Sequence, residues 1–164
     1  MSVDGTDFRI AMDYDKSYYS YKFKKMALRY EVGVCIRTGD IVWWSGPYEP
    51  GVWNDLMIFN DCLAKQLEPD EVVEADMGYR GGALTNVNCP PYEVPSRRSM
   101  TATARLRHET CNKRFKQWNA LNVPFRHGIY AHQSIFAAIS CITQLAFESG
   151  EPLFPVDYND AVGV

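Results

Sequence analysis

Three acidic residues stand where acids are uncommon. Asp4 lies within the first apolar stretch, directly before Gly5. Asp76 closes the stretch EVVEAD, directly before Met77 and Gly78. Glu109 lies within the segment ATARLRHETCNKRFKQW. A carboxylate inside or at the end of a core strand is costly unless a cation or hydrogen-bond donors meet it. The small residues Gly5 and Gly78 let a metal ion or a substrate backbone come close. Hard oxygen ligands of this kind suit Mg²⁺ or Mn²⁺. Two such ions can activate a water or hydroxyl and stabilise the leaving oxygen of a phosphodiester. A plainer reading stands beside this one, because acids at strand ends also serve as caps or solvated loop residues.

The elements that must position these residues follow from periodicity. Ser2 to Met12 reads as a strand with Val3, Phe8 and Ile10 as its apolar members. Leu28, Tyr30, Val32, Val34 and Ile36 alternate with Arg29, Glu31, Gly33, Cys35 and Arg37, the pattern of a half-buried strand. Thr38-Gly39-Asp40 is a tight-turn signal, and Ile41 to Trp44 returns as the second arm of a hairpin that Gly46-Pro47 and Pro50-Gly51 should end. Leu56, Leu63 and Leu67 follow helical spacing, with Asn54 or Asp55 in the first turn, where caps and acids are favoured. Glu71 to Asp76 is then a short strand. A strand, a crossover helix and another strand in one sheet usually run parallel. If that strand neighbours the first, Asp4 and Asp76 come together. Residues 81–100 read as a long loop, of the kind that is commonly functional or mobile. Two helices follow, at about 101–121 and 132–149, with Gly150 as a stop. Ile135, Ile139, Ile142 and Ala146 are the expected apolar stripe of the second. Residues 151–164 read as a tail. The expectation is one domain over residues 1–164 (core about 2–150), an α/β three-layer fold with a mixed central sheet.

Composition narrows the function classes. The 164 residues carry 17 Lys+Arg against 20 Asp+Glu, net −3, so no dominant basic field exists. Any nucleic-acid contact must use local patches. The hydrophobic share of 46% excludes global disorder, and no apolar run approaches a membrane span. Five cysteines (Cys35, Cys62, Cys89, Cys111, Cys141), widely spaced and without CxxC, argue against a disulfide framework or a cysteine zinc site. A reduced, intracellular protein is expected. His127 and His132 are poorly spaced for a metal pair, and there is no GxSxG, P-loop or GxGxxG.

Four segments in order, VDGTDF, YEVGVCIRTGDIVWWSGPYEPGVWNDLMIF, EADMGYRGG and RLRHETCNKRFKQW, resemble the catalytic domain of PIF/Harbinger-type DDE transposases and the endonuclease-like proteins derived from them. The resemblance runs from about Ser2 to Tyr158. It implies an RNase H-like fold and a catalytic, metal-binding trio of Asp4, Asp76 and Glu109. The family helix has the form R-x-x-x-E-x-x-N-x-x-x-K, matched here by Arg105, Glu109, Asn112 and Lys116. It implies cleavage and strand transfer of DNA phosphodiesters with Mg²⁺ or Mn²⁺, two ions in all, in a nuclear setting. Family members usually carry a helical DNA-binding region before the first Asp, whereas three residues precede Asp4 here. The expectation is therefore a catalytic domain brought to DNA by a Myb-like partner protein or by self-association, with no membrane role. The alternative is an inactive transposase-derived remnant that only binds DNA or protein.

Around the trio, Arg105, Asn112, Lys116 and Arg80 are the expected nucleic-acid contacts. Cys111, Phe115 and Trp118 should face the core from the other side of the same helix. Lys22, Lys24 and Lys25 interleave with Tyr18, Tyr19, Tyr21 and Phe23, which suits either a nucleic-acid track or a polar hairpin entry. Asp55 is explained by helix N-terminal stabilisation. Asp7, Asp13, Asp15 and Asp40 read as loop or turn residues. The expected partner surface is the segment from Cys89 to Pro95 together with one of Trp43 or Trp44, because neighbouring strand residues point to opposite faces. The opposing expectation is that both tryptophans are covered, one on each face.

Overall fold

The alternating first third of the chain becomes four strands in the computed structural model, which describes residues 1–80, 86–90 and 98–157. They are β1 (Ser2–Arg9), β2 (Tyr19–Ser20), β3 (Lys25–Val34) and β4 (Ile41–Tyr48). β1 lies antiparallel to β3, with Ser2 opposite Val34 and Arg9 opposite Ala27. β2 pairs with the first two residues of β3, and β4 with the rest of it, both antiparallel. A helix α1 (Asp55–Asp61) then crosses over to β5 (Val73–Glu74), which runs parallel to β1, and β6 (Val87–Asn88) runs parallel to β5. Among the described residues this is one six-stranded mixed sheet, ordered β2–β3–β1–β5–β6, with β4 also paired to β3. The remaining helices are α2 (Arg98–Phe115), α3 (Asn119–Asn122) and α4 (Ile129–Glu148). The fold is α/β with a mixed open sheet.

Strand alternation gives the sheet two apolar faces, and each is covered. Phe8, Leu28, Tyr30, Val32 and Val34 pack on Cys111 and Phe115 of α2 and on Phe136, Ile139 and Phe147 of α4. Val3, Val73 and Ala75 pack on Phe59 of α1 and on Leu63 and Tyr79. Among the described residues no helix is long and apolar enough to cross a membrane.

Several local expectations are corrected. Gly46-Pro47 lies within the strand, while Pro50-Gly51 follows its end. β4 continues to Tyr48, and a register shift between Arg29 and Glu31 absorbs the irregularity. The helix expected through Leu67 ends at Asp61, where Cys62 caps it and the 3₁₀ turn Leu63–Lys65 takes over. Of residues 71–76 only Val73 and Glu74 are strand. The expected 81–100 loop holds β6 within it and α2 begins at Arg98; residues 81–85 and 91–97 lie outside the described residues. α2 stops at Phe115, so Trp118 leads into α3 and is 43% exposed instead of facing the core. The buried face of α4 is His132, Phe136, Ile139, Ser140, Thr143 and Phe147, and Ile142 is exposed. The expected tail contributes Leu153 and Val156 to the core.

Asp7 is the largest correction among single residues. It is not in a loop but in β1, 2% exposed. Arg29 Nε donates to Asp7 Oδ1 at 2.7 Å and Nη2 to Oδ2 at 3.0 Å, and Ser20 Oγ donates to Oδ2 at 2.6 Å. A forked guanidinium plus a hydroxyl satisfies the buried carboxylate. Neither Trp43 nor Trp44 is an exposed anchor. Each is half-buried, Trp43 against the α1-side core and Trp44 against Phe136 at 5.2 Å between ring centroids. Cys89 is buried, and most of the 89–95 segment is outside the described residues.

Candidate functional site

The short length of β5 creates the site. Ser2 of β1 pairs in parallel register with Glu74 of β5, and β5 ends there. Asp4 and Asp76, each two residues further on, therefore lie at one level on neighbouring chain segments and on the same face. Past Glu74 the chain leaves the sheet. The Asp76 carboxylate accepts the Gly78 N–H at 2.7 Å and caps the 3₁₀ turn Met77–Tyr79. Helix α2 crosses this face and supplies the opposite wall.

One pocket of about 310 Å³ is lined by Asp4, Gly5, Thr6 and Asp76 from the sheet side and by Arg105, His108, Glu109, Asn112, Lys113 and Lys116 from α2. Lys22 closes it from the β2–β3 turn. The three expected carboxylates thus share a pocket with three of the four expected nucleic-acid contacts. Arg80, the fourth, is exposed and does not line it. Glu109 and Asp76 are exposed, while Asp4 is half-buried.

Burial pushes the Asp4 carboxyl up to about 7, opposed by the Lys22 charge and reinforced by Asp76 and Asp55. Asn112, expected to meet a phosphate, instead spends its amide on this carboxyl: Nδ2 donates to Asp4 Oδ2 at 2.9 Å. Its Oδ1 is buried without a partner, as are Thr6 Oγ1 and His108 Nε2. Buried polar atoms without partners are uncommon and call for a water, ion or ligand. His108 Nδ1 is engaged with Ser2 Oγ at 2.9 Å, and burial lowers the ring to about 3, which keeps it neutral.

Lys116 is a preset cation. Its Nζ lies 5.5 Å from the Phe8 ring centroid and 5.0 Å from that of Phe23. Aromatic faces attract an ammonium group and restrict its motion. Burial and the nearby Lys22 lower its pKa.

Sequence reasoning missed a second layer on the other face of β1. Asp55 is in the first turn of α1, as expected, with Asn54 as the cap. It also reaches the sheet. Its Oδ1 is 3.1 Å from Arg29 Nη1, and a Cβ on Gly5 would meet that same oxygen at 2.2 Å. Asp55 Oδ2 and Asp76 Oδ1 lie 3.2 and 2.9 Å from one point, the place a Cβ on Gly78 would take. At both glycines a Cβ would crowd these carboxylates, most severely at Gly5. Glu31, opposite Gly5, is wholly buried, and Tyr79 O–H donates to its Oε1 at 2.8 Å. Burial raises Glu31 to about 8, so it is largely neutral at pH 7. The pairing that places Asp55 and Glu31 here is long-range; only the glycine directly after a strand acid hinted at a crowded neighbour.

The donor set fits a hard divalent cation: carboxylates of Asp4, Asp76 and Glu109 and the unpartnered amide oxygen of Asn112. Among the described residues, no three Asp, Glu, His or Cys side chains converge on one ion. An ion here would be held by one or two of these carboxylates, Asp4 and Asp76 first, as suits Mg²⁺. No protein-family model matches the chain, and neither a curated protein nor a solved structure matches it.

Proposed function

We propose that this pocket is the active site of a divalent-metal-dependent DNA nuclease of the transposase type, an Asp-Asp-Glu enzyme on an RNase H-like fold akin to the PIF/Harbinger group. One observation carries the reading. Asp4 and Asp76 sit side by side where β5 stops, with Glu109 across the same pocket on α2 and a rim of Arg105, Lys113, Lys116 and Lys22. The strand order, three antiparallel strands followed by two parallel ones, supports the fold assignment.

Asp4, Asp76 and Glu109 would hold Mg²⁺ or Mn²⁺, which when bound would supply an activated water or hydroxyl and charge stabilisation at the leaving oxygen. The chain's own residues do the rest. Asn112 holds Asp4 in one orientation through Nδ2. Lys116, fixed between two rings, offers a positive charge to a non-bridging phosphate oxygen. Lys22, Arg105 and Lys113 attract the flanking phosphates. Positioning a phosphodiester against a fixed carboxylate pair supplies much of the rate, because orientation entropy is met on binding. Hydrolysis and strand transfer differ only in whether a water or a DNA 3′-hydroxyl attacks.

The spread of the three carboxylates, which do not converge on one ion, favours a second reading: a remnant that binds DNA without cutting it. Plasmid nicking with Mn²⁺ separates the two. The wild type nicks and Asp76→Asn does not under the first reading; neither nicks under the second.

A further inference from the structure

The turn between β2 and β3 carries features that the nuclease reading alone does not use. Tyr21 to Lys24 form the tip, with the sequence Tyr-Lys-Phe-Lys. The tip is tied down. Phe23 N–H donates to Ser20 Oγ at 3.2 Å and Lys24 N–H to the Ser20 carbonyl at 2.7 Å, while Ser20 Oγ is itself anchored on buried Asp7. Lys24 adopts φ of 53°, a left-handed conformation that a glycine would take at lower cost.

The chemistry around the tip is aromatic and basic together. Tyr21 is 68% exposed and Tyr14 74%, and both touch Tyr19, at 5.2 and 5.9 Å between ring centroids. Lys22, Lys24, Lys25 and Arg9 are exposed beside them. Arg9 sits 6.0 Å from the centroid of the Phe23 ring whose other neighbour is Lys116 of the pocket wall. Lys22, next to Tyr21 in the turn, lines the pocket that holds Asp4, as does Lys116 on the far side of the Phe23 ring. Asp15, the acid nearest in sequence, is occupied in capping Ser17 N–H at 2.8 Å. In a chain of net charge −3 this concentration of cations is local.

We infer that this surface is a track for an unpaired stretch of DNA whose scissile phosphate enters the pocket, an inference that rests on the nuclease reading for the identity of the polymer. Lys22, Lys24 and Arg9 meet phosphates, and Tyr21 stacks on a base. The exposed rings decide for a single strand over a duplex. A paired base has its faces covered by its neighbours, so only an unstacked or flipped base can use an aromatic platform.

The test is fluorescence anisotropy of the full chain with a labelled single-stranded oligonucleotide and with the duplex of the same sequence, in EDTA so that binding is read without cleavage. The single strand binds more tightly. Tyr21→Ala weakens it roughly five- to a hundredfold, Tyr21→Phe binds as wild type, and Lys22→Ala/Lys24→Ala lowers the log–log salt slope by about one to one and a half. Equal affinity for both forms of DNA, or no change with Tyr21→Ala, overturns the inference. Because EDTA removes the chemistry, the two failures separate. Tyr21-dependent binding with no metal-dependent nicking leaves the track and removes the nuclease, and nicking without a Tyr21 effect does the reverse.

Discussion

Asn112 donates from Nδ2 to Asp4 Oδ2 at 2.9 Å across 108 positions of sequence, and this bond joins the helix wall of the pocket to its sheet wall. The carboxyl it holds is the one that burial pushes up to about 7. Truncating Asn112 to Ala frees the Asp4 carboxyl to rotate and removes a buried amide oxygen from the pocket. Removing a group that orients a metal ligand typically costs about 10–100-fold in metal affinity or activity. Mn²⁺ titration calorimetry on Asn112→Ala checks this: binding weakens by that range, and unchanged binding contradicts it.

Gly5→Ala is expected to damage the site from beneath. The new methyl group would lie 2.2 Å from Asp55 Oδ1, so Asp55 must leave Arg29 or β1 must shift. Overpacking of this kind costs about 1–3 kcal/mol. A urea melt should show it as a lower midpoint with an unchanged slope.

Arg29 and Asp7 form a buried fork, with side-chain exposures of 12% and 1%. Arg29→Met leaves Asp7 charged and unpaired and should destabilise by about 3–5 kcal/mol. Arg29→Met combined with Asp7→Leu removes both charges and should recover part of that loss. Thermal melts of the two proteins measure the difference.

Stability should fall as pH rises, through Glu31. Its folded pKa, about 8, stands above the ordinary 4.5 because the carboxyl is buried. A raised carboxyl pKa means that the folded state binds a proton the unfolded state releases. The stabilisation is complete below about pH 4.5 and is lost as pH climbs toward 8. Glu31→Gln keeps the acceptor for Tyr79 O–H and removes the titration. Its melting temperature should exceed that of wild type at pH 8.5 and match it at pH 4.5, with a difference of about 2–4 kcal/mol at the upper end.

How legible the site was depended on the range of the contacts. β1, β3 and the hairpin could be read because alternation is local, and Asp4 and Asp76 could be paired because a crossover helix forces parallel neighbours. Asp55 and Glu31 could not, because the approach of α1 to Gly5 is set by tertiary packing. Asp7 was misplaced because an acid flanked by Thr6 and Phe8 gives no sign of an arginine opposite it in register. The face of α4 was misread because three of its buried residues, His132, Ser140 and Thr143, are polar. His132 Nδ1 meets Tyr30 O–H at 2.9 Å and Ser140 Oγ donates to the Phe136 carbonyl, partnerships that hydropathy does not encode.

The central claim is that Asp4, Asp76 and Glu109 act together with a divalent cation on a DNA phosphodiester. Glu109 is the most demanding member to test, because it is exposed and its substitution leaves the core untouched. The measurement is the rate at which supercoiled plasmid is nicked by wild type and by Glu109→Gln, purified identically, with Mn²⁺, with Mg²⁺ and with EDTA. Wild type is expected to nick only when metal is present, and Glu109→Gln to lose at least about a hundredfold, the scale for removing a group that acts in the transition state. Nicking by wild type and Glu109→Gln at equal rates, or no nicking by wild type with either metal, would contradict it.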